Sequence, residues 1–477
     1  MPEQTDVVVV GSRCAGTAAA ITLARRNRKV IAVDSAAFPS DTLSTHLFFT
    51  HHWAELDRLG ARERVAALGA PLHTRAGLGS PDVEVIGPSS RVEGFAAGAC
   101  VRRPGLDLAL VETARAAGAE VREHVRVTGL MREASGRVCG VRIRHRDGTV
   151  DAITAKLVVG ADGRRSTVAK LVGARDHHRW DNQRIMAFAY YDDPRGELRD
   201  LAMQWRDDDD LVTVFPCDGG QSVVLLMPPR YRTDEFRADA TAAFDATVQR
   251  IAPFAERLAG CTRVTDIRMS YSHPSYFRHS QGPGWALAGD AGHFKDPVTA
   301  QGIRDALRFG RLLGEAAAAV LDDPARLDSA LAAWERDRDA QCLAMYQWAN
   351  LLGRADTISP IENAAYHWFA ARPDGFTELA DVFNRKTSPQ RVFTPARLVR
   401  WAAAAARDPG VGRGELARTV GRDVRREAAR IVEQVLFAKR RAASARASSP
   451  RPTGRRRLRE SPEPMQRPAA PAPVHGP

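Results

Sequence analysis

The sequence predicts an α/β fold (α+β overall), in which a Rossmann-like parallel unit is interleaved with an antiparallel sheet and followed by helices. Three observations carry this. Val7-Val8-Val9-Val10 is the kind of β-branched run found in parallel strands covered on both faces. A glycine turn, an alanine-rich helix and a second apolar strand, Val30-Ile31-Ala32-Val33, follow it directly. Between about 183 and 272 the texture changes to short strands with tight turns, which reads as an antiparallel sheet.

The elements follow in order. Gly11 permits a turn too tight for a Cβ, and Gly16 lets the helix through Ile21, Leu23 and Ala24 pack closely. Asp34 ends the second strand 18 residues after Gly16, near the spacing at which an acid meets a ribose hydroxyl in a dinucleotide-binding βαβ unit. Arg13 stands where the middle glycine of G-x-G-x-x-G belongs. By itself the turn fits either a nucleotide site or an ordinary βα connection.

A polar stretch from Phe38 to His46 leads to an amphipathic helix carrying Trp53, Leu56 and Leu59. Residues 70–100 hold strand-like pieces broken by glycine and proline. Arg102-Arg103-Pro104 starts a helix, and Asp147-Gly148 turns a hairpin between strands near 138–143 and 150–153. Leu157-Val158-Val159 is a buried strand ending at Gly160-Ala161-Asp162-Gly163. The antiparallel stretch contains strands near 185–191, 200–205, 211–215 and 222–227 and a helix near 235–251. Trp285 to Asp290 returns to the buried-strand pattern and opens a helix over roughly 299–321. Helices continue to about 438. From 439 onward Arg, Pro, Ser and Ala prevail without an apolar period, which predicts a disordered basic tail.

Composition narrows the function classes. The net charge is +12, but ten Lys/Arg and two Glu from Lys439 onward account for +8 of it. The folded part is therefore nearly balanced, and no specific nucleic-acid partner is expected. No apolar run approaches about 18 residues, so no membrane span is expected. The first strand begins near the sixth residue, leaving no room for a leader, and a cytoplasmic location is expected. Six scattered cysteines (14, 100, 139, 217, 261, 342) without a C-x-x-C pair predict reduced thiols and no metal site. The run Asp207 to Asp210 lacks calcium-loop spacing and reads as a solvated hairpin tip.

Three glycine/aspartate turns, each closing a buried strand, stand out: Gly11 to Gly16, Gly160 to Ser166, and Gly289-Asp290-Ala291-Gly292-His293 with Pro297, Gln301-Gly302 and Asp305. In this order and spacing they resemble the FAD-dependent class A flavoprotein monooxygenases, the para-hydroxybenzoate hydroxylase-like superfamily. Geranylgeranyl reductases and flavin halogenases are sister branches. The resemblance covers roughly residues 5–320. It implies a Rossmann-like FAD-binding domain of the glutathione-reductase type, formed by 1–180 and a return segment 276–330. It further implies a substrate domain at 181–275, a helical region at 331–438 and the tail at 439–477.

By that resemblance Gly11, Ser12, Arg13, Gly16 and Asp34 hold the adenosine and pyrophosphate end, and Val127 meets the adenine through its backbone. Arg103 touches the cofactor, with Arg102 the competing choice. Asp162 and Gly163 serve FAD and the passing NADH or NADPH. Asp290 bonds the ribityl–phosphate region. Pro297, Gly302 and Ile303 bring a helix N-terminus to the flavin ring, where its dipole stabilises reduced flavin. Arg13 either points away from the phosphates or contacts them by charge. Lys295, in a chain with only six lysines, either faces the flavin or substrate or pairs with Asp296 at the surface. His46 falls where the family places residues near ring and substrate, and a structural histidine is the alternative.

The implied activity is NAD(P)H-dependent monooxygenation by a monomer or homodimer. O2 would hydroxylate or epoxidise a small aromatic or polyketide-like molecule through a flavin C4a-hydroperoxide. Trp205, Phe215 and Met227 are candidates to line the pocket. The alternatives are a reductase of the geranylgeranyl type, delivering hydride to C=C, and a flavin-binding protein without turnover. The absence of W-x-W-x-I-P places a halogenase behind both.

Overall fold

The computed structural model describes residues 2–448. Its centre is a sheet in which β1 (Val7–Val10) lies between β2 (Val30–Val33) and β4 (Leu157–Gly160), with β3 (Glu120–Arg122) beyond β2 and β5 (Trp285–Leu287) beyond β4. All five run parallel, and one register row reads Ala286, Val159, Val9, Ala32, Val121. The alternation of strand side chains divides the valines. Val7 and Val9 face α1 (Cys14–Ala24) and α3 (Gly302–Ala318), whereas Val8 and Val10 face a layer of strands carrying Val127, Val138, Val141 and Ile143. A run of β-branched residues thus serves a sheet buried on both sides.

Every residue of α1 is buried, which accounts for its alanines: larger side chains would hold its neighbours away. Gly310 of α3 lies against the carbonyl of Ala15 and Gly314 against Thr22, so these two helices meet backbone to backbone.

The second sheet runs in the order Met186–Asp192, Gln221–Leu226, Asp210–Pro216, Leu201–Asp207, Arg75–Gly79 and Glu84–Pro88. The expected strands are present, but the sheet is not wholly antiparallel, nor drawn from 181–275 alone. Leu201–Asp207 pairs in parallel with Arg75–Gly79, a strand from within the first segment. Short strands in residues 70–100 carry no label saying which sheet they join. The single helix expected near 235–251 is three short ones, Thr233–Ala238, Ala240–Arg250 and Ala252–Arg257, with Asp239 capping the second.

The two faces of this sheet differ in purpose. Trp205 points with Met203 and Val214 at the short helices, meeting Phe254 edge-on and donating its indole N–H to Glu84 at 2.7 Å. Phe215 and Met227 point the other way, toward the parallel domain. Trp205 is therefore core and not pocket wall. Asp207 and Asp210 close the expected hairpin, yet Asp210 is buried, held by Arg232 at 2.9 Å.

From α4 (Pro324–Leu352) onward the chain is helical, ending in α5 (Arg413–Ser448). That helix passes the expected boundary at 438 by ten residues, because Ala438-Lys439-Arg440-Arg441-Ala442-Ala443 are strong helix formers. The remainder of the expected tail lies outside the described residues.

Candidate FAD site

The C-terminal ends of β1, β2 and β4, with the turn after β5, open onto one cavity of about 500 Å³. This is where ligands bind in open parallel sheets. Of the predicted residues, Gly11, Arg13, Asp34, Arg103, Val127, Asp162, Gly163, Asp290, Lys295, Pro297, Gly302 and Ile303 all line it.

Backbone geometry explains the first turn. Gly11 has φ +97°, and a Cβ there would lie 2.5 Å from the carbonyl oxygen of Ala161. A Cβ on Gly16 would fall on the carbonyl oxygen of Gly11. Asp34 accepts the amide of Ser12 at 2.7 Å and that of Ala36 at 2.9 Å, so it braces the turn besides facing the cavity. The hydroxyl of Ser12 is buried with no partner among the described residues.

Arg13 turns away from the glycine turn. Its guanidinium pairs with Asp107, donates to the Ser40 hydroxyl at 3.0 Å and lies over the Phe38 ring. Arg103 binds the same Asp107 at 2.8 Å, which identifies Arg103 rather than Arg102 as the cavity arginine; Arg102 pairs with Asp218 at 2.8 Å outside it. Asp107 is fully buried and was not singled out from the sequence, although its place four residues after Arg103 on a helix was a signal. Arg13→Gly leaves the Arg103–Asp107 pair in place, and the purified variant is expected to keep its flavin absorbance.

Asp162 caps the helix Thr167–Val172, accepting from the Ser166 hydroxyl at 2.5 Å and the Thr167 amide at 2.6 Å. Asp290 differs: its carboxylate has no hydrogen bond among the described residues, while the Tyr276 hydroxyl fixes its carbonyl at 2.6 Å. Burial pushes the Asp290 carboxyl up, against the pull of Arg164, Lys295 and Arg103. Gly163 and Gly302 both have open space where a Cβ would stand. An orphaned hydroxyl, an unpartnered half-buried acid, two open glycines and the N-termini of α1 and α3 fit a cofactor with a pyrophosphate, hydroxyls and a flat ring.

Lys295 is buried and paired with Asp305, not with Asp296 and not at the surface. Burial alone would raise Asp305, but Lys295, Arg385 and Arg304 hold it well below the carboxylate range. His293, Asp305 and Cys342 also approach one another, yet these cations already occupy Asp305. His46 is not a cavity residue. It stands behind Ser44 and Thr45, its Nε2 at 2.7 Å from the Tyr190 hydroxyl, and burial lowers it to about 3, so the ring is neutral. Its φ of +58° and its place between Phe188 and Tyr190 mark it as structural.

Asp296 is buried, its Oδ1 accepting the Val298 amide at 3.0 Å and its Oδ2 without a partner. Burial pushes it up to about 6. A carboxyl raised in the fold stabilises it below the unfolded value of 3.8 and loses that contribution as pH rises through about 6. Asp296→Asn should therefore gain up to about 3 kcal/mol over the wild type at about pH 8 in chemical denaturation. The gain should vanish toward about pH 4.

A second, smaller cavity of about 50 Å³ adjoins the first, sharing Thr45, Pro297 and Ala300 with it. Phe48, Phe49, Phe215, Met227, Phe376 and Phe383 make its walls largely apolar, with Thr213, Gln204, His73 and Asn384 among its polar groups. Sequence reasoning placed Phe215 and Met227 here and missed the helix carrying Phe376 and Phe383, whose aromatic residues resemble any packed core.

Comparison with known proteins agrees with this geometry. The FAD binding domain family matches residues 4–349. A menaquinone reductase of Mycolicibacterium smegmatis is 29% identical over 330 residues, covering 66% of this chain and 76% of the relative. A digeranylgeranylglycerophospholipid reductase of Methanosarcina mazei is 26% identical over 333 residues, with the same coverage. In fold the chain is similar to the flavin-dependent brominase Bmp2, at a TM-score of 0.70 and 18% identity over 84% of this chain and 98% of that one. On the family match and the convergence of three distant turns on one cavity, the chain belongs to the FAD binding domain family and is an FAD-dependent oxidoreductase.

Proposed function

We propose that the protein is an FAD-dependent reductase that acts on an apolar, lipid-soluble small molecule whose reacting end enters the second cavity. One observation carries the substrate class: the chamber entered past Pro297 and Ala300 is walled mainly by aromatic and aliphatic side chains, and its polar lining residues carry no charge, His73 being kept neutral by burial, which lowers it to about 4. Such a site binds by burial of apolar surface, and Thr213 and Gln204 can orient one polar end. Reduction ranks above oxygen transfer because the two relatives at 29% and 26% identity are named reductases. This reverses the order expected from the sequence alone.

FAD, when bound, supplies hydride transfer. The chain's share begins with the glycine turn and the N-terminus of α1, which would take the pyrophosphate, and Asp290, which would accept a ribityl hydroxyl. The N-terminus of α3 at Gly302 and Ile303 would offer the positive end of its dipole to the bound cofactor, where it would stabilise the negative charge of reduced flavin. Lys295, neutralised by Asp305, adds little free charge there but fixes the first turn of α3. The apolar chamber excludes water around the reacting carbon. NADH or NADPH would approach transiently beside Asp162 and Gly163.

The test is anaerobic mixing of prereduced holoenzyme with menaquinone or a geranylgeranyl lipid. Flavin reoxidation with a product two hydrogens heavier supports reduction. Reoxidation that requires O2 and yields an oxygenated product replaces it with monooxygenation. A purified protein that takes up no FAD removes both. Within the reductase reading, Ala202→Phe, which fills the chamber from the sheet side, should lower kcat/KM by roughly tenfold. Flavin reduction by NAD(P)H should remain unchanged.

A further inference from the structure

α5 is amphipathic in the wrong direction for a helix that merely packs on a core. Its inward side carries Phe437 against Phe277 and His178 and Leu416 against the cluster around Trp401, together with polar links: Glu433 to His178 at 3.1 Å and to Gln347 at 2.7 Å, and Arg426 to Asp356 at 2.6 Å. Its other large aliphatic residues lie on the opposite side. Val420, Val424, Ile431, Val432, Val435 and Leu436 are between 39% and 63% exposed. At 100° per residue they occupy one arc of roughly 160°, about 24 Å long, facing away from Phe437. Arg418, Arg425 and Lys439 are exposed on the same arc, and the helix's four acids, Glu415, Asp423, Glu427 and Glu433, all fall outside it. The helix also lies outside the span that matches the family, residues 4–349.

We propose that this face of α5 docks on an anionic lipid bilayer, with the aliphatic stripe entering the headgroup boundary and the cations meeting lipid phosphates. An in-plane helix of this kind combines an apolar stripe with a carboxylate-free basic rim. Two other occupants fit the charge and composition less well. The chain's own residues 449–477 hold only Leu458, Met465 and Val474 as large aliphatics and cannot cover six. A second copy pairing face to face would set Arg418, Arg425 and Lys439 against their counterparts. A bilayer satisfies both the stripe and the cations, and the ten Lys/Arg against two Glu from Lys439 onward add to the same attraction. The use of such docking, delivery of a lipid-soluble substrate to the chamber, rests on the reductase reading; the docking itself does not.

The test is co-sedimentation of full-length holoenzyme with vesicles of equal parts phosphatidylglycerol and phosphatidylcholine, and with phosphatidylcholine alone. The protein is expected to pellet with the anionic vesicles at about 0.1 M salt, and much less with phosphatidylcholine or at about 1 M salt. The double variant Val424→Asp/Ile431→Asp should reduce binding by at least about tenfold with flavin absorbance and unfolding midpoint unchanged. Wild-type protein left in the supernatant overturns the proposal. So does pelleting that the double variant does not reduce, or a dimer in light scattering that the variant splits in protein that never pellets. Because no turnover is measured, failure here leaves the reductase reading standing, and failure of that reading leaves the docking result intact.

Discussion

Asp305→Ala is expected to remove most of the protein's folding stability and its FAD together. Asp305 is the buried counter-ion of Lys295, of Arg304 at 2.9 Å and of Arg385 at 3.1 Å. Taking away one partner of a buried pair costs about 3–5 kcal/mol, because the charge left behind stays desolvated. Here three cations are left, against a total stability on the order of 5–15 kcal/mol. Asp305 also lies in the first turn of α3, so the same change loosens the helix end that lines the cavity. Urea denaturation followed by tryptophan fluorescence, with flavin absorbance of the purified protein, reads both effects. A variant within about 1 kcal/mol of wild type would show that the cations relax into water, and would sink the argument. Lys295→Met in the same chain removes one of the orphaned charges and should recover part of the loss.

Gly16→Ala is expected to abolish FAD retention, whereas Gly302→Ala should weaken FAD binding without touching the fold. The methyl group at 16 would fall on the Gly11 carbonyl oxygen and come within 3.1 Å of a Val9 methyl. Both obstacles belong to the β1–α1 turn, which has the sheet behind it and cannot shift; overpacking of this kind costs about 1–3 kcal/mol or more. At Gly302 a Cβ meets no protein atom within 4 Å and projects into the cavity. Matched thermal melts without added FAD should therefore separate the two: lowered for Gly16→Ala, unchanged for Gly302→Ala. Equal melting temperatures for the two variants would refute this division of roles.

Much of the site was legible because it is local. A strand, a glycine turn and a helix are neighbours in the chain, and the need for a small residue at Gly16 is set by Gly11 and Val9, a few residues away. The same holds for the ends of β4 and β5. What was not legible involves partners far apart. Arg13 read as an intruder among phosphates; Asp107, 94 residues on, turns its guanidinium aside. His46 sat at a plausible distance from the ring along the chain, yet a left-handed backbone and Tyr190 place it behind the wall. Trp205 and Phe215 belong to neighbouring strands, and only the pairing register decides which face each takes.

The sequence by itself determined the parallel core and the three turns, whose order and spacing carry the family resemblance that implied FAD. Tertiary structure alone decided where the charges go and what the second sheet contains. Arg75–Gly79 joins strands more than 120 residues later, Asp305 gathers cations from three segments, and α5 turns its aliphatic side outward. The physical reason is the range of the forces. The strand and turn patterns depend on residues adjacent in the chain, as at Gly16 against Gly11, whereas ion pairing and strand pairing depend on which distant groups the fold brings within a few ångströms.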